Sequence, residues 1–75
     1  MEITFDPDKD AANLAKHGVS LELAAELEWD CLLAKPDTRR DYGEMRMAGY
    51  APIGLRVFCV VFTDRGDERR MISFR

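Results

Sequence analysis

One histidine, two cysteines and three prolines are all that 75 residues contain of those types. Cys31 and Cys59 lie far apart, with no histidine or second cysteine at ligand spacing, which argues against a zinc site. In a reducing compartment both read as small buried hydrophobes. No apolar run approaches the length of a bilayer span. The start, Met1 to Asp6, lacks the basic region and apolar stretch of a secretory signal, so a cytoplasmic protein is expected. Low proline and glycine, with 47% hydrophobic and 33% charged residues, place the chain among ordered globular proteins. Its length allows a single domain over 1–75 and no second core. No internal repeat or low-complexity segment is present.

Positive charge is also scarce, and the net charge is −3. The distribution is uneven: residues 1–30 carry eight acids against Lys9 and Lys16, whereas residues 31–75 carry nine bases against six acids. Eight of those nine are arginines. Arginine offers phosphate a rigid two-pronged donor where lysine offers a point charge. A basic second half on an acidic first half suits a polyanion approaching one face, and suits equally the two halves pairing with each other.

Met1–Phe5 alternates and reads as a first strand. Asp6-Pro7 is a helix start, with Asp6 as cap and Pro7 at the first helical position. Ala11, Ala12, Leu14 and Ala15 give a narrow apolar stripe, and Gly18 suits the left-handed position just past the helix. Ser20 caps a second helix expected over about 21–28, with Leu21, Ala24, Ala25 and Glu28 on one face and Leu23 and Leu27 beside them. Strands are expected at 31–35, 44–50, 55–63 and 68–75, with turns at Pro52-Ile53-Gly54 and Arg65-Gly66-Asp67. Residues 55–63 are apolar on both faces, as in a central strand. The last strand sets Arg69, Met71, Ser73 and Arg75 against Arg70, Ile72 and Phe74. The fold class is therefore α+β, order β-α-α-β-β-β-β, with two N-terminal helices packed on a small antiparallel sheet.

Several short motifs stand in a distinctive order: Phe5-Asp6, Lys9, Asn13, Lys16-His17-Gly18-Val19, then Ser20, Glu22 and Ala24, and Trp29-Asp30. Glu44-Met45-Arg46, Gly49, Val60-Val61-Phe62-Thr63, Arg65-Gly66 and Arg70-Met71-Ile72-Ser73-Phe74-Arg75 follow. In this order and spacing the chain resembles the BrnT family of bacterial toxins. The resemblance implies a RelE-like fold and a metal-independent endoribonuclease of a type II toxin–antitoxin system. It further implies neutralisation by a BrnA-like antitoxin with a ribbon-helix-helix DNA-binding domain, so that DNA is met only through the complex. Members continue past the last Arg with Lys-Ala and a basic C-terminal helix; this chain stops at Arg75.

RelE-like ribonucleases use the RNA's own 2′-hydroxyl as nucleophile. The protein must then neutralise charge growing on the phosphate, help remove one proton and help deliver another. Arg46, Arg65 and Arg75 are the candidates for the first task, with Ser73 as a hydrogen-bond donor beside Arg75. Glu44 acts as base or orients Arg46. His17 acts as acid or base near neutral pH. No cofactor or metal is called for.

Arg65 and Arg75 are the strongest candidates, because nothing local obviously needs two arginines near one sheet end; others have a plainer role. His17 sits at a helix C-terminus, where an imidazole bonds the last carbonyls, and this structural role is the favoured one. Asn13 and Lys9 read as surface residues, Glu44/Arg46 as an ordinary ion pair, and Arg39-Arg40 as a solvated loop. Met45, Met47 and Met71 read as core or antitoxin-facing, and Trp29 as a core anchor. The competing functional reading is a non-catalytic module of the same fold that binds an antitoxin for assembly or operon control. A plain nucleic-acid-binding domain is weaker, because the exposed aromatic interleaving of single-strand platforms is not evident.

Overall fold

The computed structural model describes residues 1–75. Strand β1 (Glu2–Phe5) leads into helix α1 (Pro7–His17). Two 3-10 helices follow, Leu21–Glu26 and Trp29–Cys31. The chain then forms β2 (Leu33–Pro36), β3 (Met47–Ile53), β4 (Arg56–Arg65) and β5 (Glu68–Phe74). The five strands form one sheet in the order β1-β5-β4-β3-β2. This is a small α+β fold, but the sheet is mixed. β1 runs parallel to β5, from Glu2 opposite Glu68 to Phe5 opposite Met71, whereas an all-antiparallel sheet was expected. The crossover through the helical segment permits that pairing, and strand patterning carries no sign of it.

The helix joint follows its local chemistry. The Asp6 carboxylate accepts from the Asp8 amide at 2.8 Å, and Gly18 takes φ 74° with its N–H donating to the Leu14 carbonyl. Asp10 fastens the joint, its Oδ1 accepting from the Ser20 hydroxyl at 2.8 Å and the Leu21 amide at 2.7 Å.

Beyond the joint the expected α-helix is a 3-10 helix. Its buried residues, Leu21 and Ala24, and the buried Leu27 just past its end are three apart, as three residues per turn requires; Ala25 and Leu23 face solvent instead. The stripe of α1 also points outward, with Leu14 exposed beside Ala11 and Ala15. The buried residue of α1 is Asn13, contrary to the surface position expected for it. Its Nδ2 donates to the carbonyls of Val19 (2.8 Å) and Phe74 (2.7 Å), and its Oδ1 accepts from the Phe74 amide (3.1 Å). β1 ends opposite Met71, so the Asn13 amide supplies the next pairing along the free edge of β5, in place of a strand backbone.

One face of the sheet carries the core: Ala51 of β3, Phe58, Val60 and Phe62 of β4, and Met71 and Phe74 of β5, closed by Leu21, Ala24 and Leu27. Trp29 lies edge-on to Phe62, centroids 5.5 Å apart, and its indole N–H donates to the Ala24 carbonyl. Arg69 covers both rings and is held by the Asp64 carboxylate at 2.8 Å.

Three expectations about β2, β3 and β5 need correction. β2 begins at Leu33, and Cys31 is exposed rather than buried, because the second 3-10 helix takes up Trp29–Cys31. β3 runs through Pro52 and Ile53, so the turn falls at Gly54-Leu55, Gly54 at φ 58° with its amide donating to the Glu28 carboxylate. A bulge opposite Val61/Phe62 pairs Ser73 with Val61 and Met71 with Phe62. Strict alternation therefore fails in β5, and Met71 and Phe74 share the core face while Ser73 points to the other.

Candidate active site

The sheet face away from the core carries the site. Pairing across the strands sets side chains in rows there. Tyr50 of β3 lies opposite Cys59 of β4, which exchanges both backbone hydrogen bonds with Arg75 beyond the end of β5. The next row is Ala48, Val61 and Ser73. These small and half-buried side chains floor an open cavity of about 430 Å³. Lys16 and His17, at the end of α1, form one wall because Asn13 pins that helix to the end of β5. The opposite wall is Lys35 of β2 with Asp37, Arg39, Tyr42 and Arg46 from the segment between β2 and β3.

That segment is held by its own contacts. The Asp37 carboxylate accepts from the Arg39 guanidinium at 2.8 Å and from the Tyr42 hydroxyl at 3.3 Å. The Arg39 bond holds Asp37 well below the ordinary carboxylate range, and Asp37 raises the Arg39 guanidinium in turn. Arg46 stacks on the Tyr42 ring at 4.0 Å, and its Nε is buried with no protein partner. An unpaired buried donor on a stacked guanidinium is suited to meeting a ligand. Five basic side chains (Lys16, Lys35, Arg39, Arg46 and Arg75) line the cavity against one acidic side chain, Asp37, which Arg39 already engages. A basic concavity thus lies on a protein of net charge −3.

Of the six residues singled out in the sequence, the fold gathers Arg46, Ser73, Arg75 and His17 around this cavity. Arg65 and Glu44 are not among its walls. They pair with each other at 2.7 Å, and this bond above all holds the Glu44 carboxyl below its ordinary range, with Arg46 and Arg70 adding to the effect. Arg65 shares the outer face but lies four residues beyond Val61 along β4, roughly 13 Å away at strand rise. Between them the segment before β3 crosses Thr63, whose hydroxyl donates to the Met45 carbonyl at 2.7 Å. Arg70 also faces outward, near Glu68, whereas Arg69 belongs to the core side. Sequence reasoning missed Tyr42, Tyr50, Lys16, Lys35 and the Asp37–Arg39 pair as wall residues. The alternation of β3 put Tyr50 on the face of Arg46, which was the available signal for that residue.

The profile of a family described as the ribonuclease toxin BrnT of type II toxin–antitoxin systems matches residues 5–75. The chain belongs to the BrnT family. The 1.1 Å crystal structure of the Brucella abortus ribonuclease toxin BrnT is similar to it throughout. That similarity has a TM-score of 0.70 and 29% identity, covering 100% of this chain and 94% of that one. No curated protein matches the sequence. BrnT membership makes the chain a ribonuclease toxin by family and implies an antitoxin as partner. No helix is long and apolar enough to cross a membrane.

Proposed function

We propose that this chain is a metal-independent endoribonuclease that cuts RNA by attack of the 2′-hydroxyl on the adjacent phosphodiester. The observation that carries this reading is the convergence of Arg46, Arg75, Ser73 and His17 on one basic cavity. In the reaction the 2′-oxygen bonds to phosphorus, the 5′-oxygen leaves, and the products are a 2′,3′-cyclic phosphate and a 5′-hydroxyl. Arg46 and Arg75 bear the negative charge that grows on the phosphorane oxygens, and the Ser73 hydroxyl donates a further hydrogen bond. His17, with the only imidazole in the chain, exchanges a proton at the 2′- or 5′-oxygen. Glu44 and Arg65 act from the flank: Glu44 stays ionised beside Arg65 and within the field of Arg46, which suits orientation of that guanidinium.

The neutralising partner in this reading is a BrnA-like antitoxin with a ribbon-helix-helix domain, which carries the complex to DNA. It covers the cavity with acidic groups, and the exposed Leu33 and Val57 supply apolar contact near it. RelE-like ancestry fits a small sheet with helical segments on one face, and the cytoplasm is where such a toxin meets RNA.

The test is cleavage of single-stranded RNA in excess chelator by the parent chain and by Arg46→Ala, Arg75→Ala and Arg65→Ala variants. Loss of one charge-stabilising donor costs roughly 10²–10³ in rate. That loss is expected for Arg46→Ala and Arg75→Ala, with a smaller one for Arg65→Ala. A parent chain that binds antitoxin and cleaves no RNA at any concentration establishes the non-catalytic module instead.

A further inference from the structure

Tyr50 has no role in the chemistry above, yet it stands at the lip of the cavity with 56% of its surface exposed. Its neighbours explain why the exposure is unusual. On the row across the sheet Tyr50 is followed by Cys59 and then Arg75, two strand spacings or about 10 Å away between backbones. On its own strand the same face carries Ala48, two residues back, and Arg46, just before the strand begins, lines the same cavity. Tyr50 also borders a second, shallower hollow of about 280 Å³, formed by Leu33, Ala34, Lys35, Ala48 and Gly49. Lys35, Ala48, Gly49 and Tyr50 line both spaces, so the ring borders an arginine-lined cavity and a mostly apolar hollow that carries one lysine.

We infer that Tyr50 is a nucleobase-stacking platform, holding in the apolar hollow a base that neighbours the phosphate between Arg46 and Arg75. A flat apolar ring, exposed and set beside phosphate-seeking guanidiniums, is the combination by which single-stranded nucleic acid is held without a fixed sequence. Tyr42 does not fill this role, because Arg46 already covers its ring at 4.0 Å. The hollow has no charged group other than Lys35, so it accepts any base by its face and reads little of its edge. The substrate class is accordingly single-stranded RNA with an unpaired base next to the cut. This inference rests on the ribonuclease reading.

The test uses the whole chain and a fluorescein-labelled single-stranded RNA, 2′-O-methylated throughout so that it binds without being cut. Anisotropy gives Kd for the parent, Tyr50→Ala, Tyr50→Phe and Tyr50→Trp, with circular dichroism confirming the fold of each. Tyr50→Ala is expected to weaken binding roughly tenfold, while Tyr50→Phe and Tyr50→Trp stay within about twofold. The Tyr50→Ala deficit persists as salt is raised, whereas Arg46→Ala lowers the salt slope by about one. An otherwise identical strand with abasic sites binds the parent about as weakly as the intact strand binds Tyr50→Ala. Equal affinity of parent and Tyr50→Ala, in a chain that cleaves RNA, overturns the platform and leaves the ribonuclease reading intact. Tyr50→Ala that weakens only an antitoxin complex also overturns it, since the ring then serves a protein interface. A parent that neither binds nor cuts RNA overturns both.

Discussion

Replacing Asn13 tests the fold and the site together. Its side chain makes three hydrogen bonds with backbone groups of Phe74 and Val19 at 6% exposure. Asn13→Ala removes all of them and leaves the Phe74 amide and carbonyl without their partner at a shielded sheet edge. At a net of about 1 kcal/mol per bond the loss is about 3 kcal/mol. That is a large share of the roughly 5–15 kcal/mol typical of a whole domain. With a urea dependence of about 1 kcal/mol per molar for so small a chain, the midpoint falls by roughly 3 M. Asn13→Asp gives a sharper result. It keeps an acceptor for the Phe74 amide but points a carboxylate at two carbonyl oxygens. Its folded-state pKa is thereby raised, so its deficit shrinks as pH falls below the carboxyl's unfolded value and grows as pH rises through the folded one. Urea titrations at pH 7 and pH 4 measure both effects. A midpoint for Asn13→Ala within about 0.5 M of the parent, or an Asn13→Asp deficit independent of pH, refutes the strand-substituting role.

Two further outcomes follow from packing and charge. A Cβ built on Gly49 falls on the Leu33 carbonyl oxygen and lies 2.7 Å from the Ala34 Cβ, so Gly49→Ala must push β2 off β3. About 2 kcal/mol of destabilisation is expected by denaturant titration, with faster amide exchange in β2, and an unchanged midpoint contradicts it. The carboxyls of Asp37, Glu44 and Asp64 are held low chiefly by hydrogen bonds from Arg39, Arg65 and Arg69. Groups depressed on folding stabilise above their unfolded values, 3.8 for Asp and 4.5 for Glu, and that stabilisation is lost as pH falls through the folded ones. Melting temperature should therefore hold from pH 7 to 5 and drop below about 4, and Asp64→Asn should lessen the drop; an equal drop in both removes the Asp64–Arg69 pair from the explanation.

What the sequence made legible was local. Asp6-Pro7, Gly18 and Ser20 each act through backbone groups a few residues away, and the structure has each at its expected work. The central strand was legible because apolar residues on both faces have few other uses. The parallel pairing of β1 with β5 was not, since it depends on where a crossover lands. Nor was the β5 bulge, an unpaired extra residue that leaves no mark on composition yet turns Ser73 away from Met71. Asn13 was misplaced because a polar residue on a helix is read as solvated until a distant strand edge is known to need its amide. The site divided along the same line. Arg46 and Arg75 line one cavity because they flank β3 and β5, the two strands on either side of β4, while Arg65 lies too far along β4 and is engaged by Glu44.

The most direct measurement is cleavage by the parent chain, in chelator, of two RNAs that differ only by a 2′-deoxy substitution at the nucleotide before the cut. The account predicts that the all-ribose strand yields a 2′,3′-cyclic phosphate and a 5′-hydroxyl, that the deoxy strand survives, and that Arg46→Ala with Arg75→Ala abolishes the reaction. Equal cutting of both strands, or products bearing a 5′-phosphate, contradicts it.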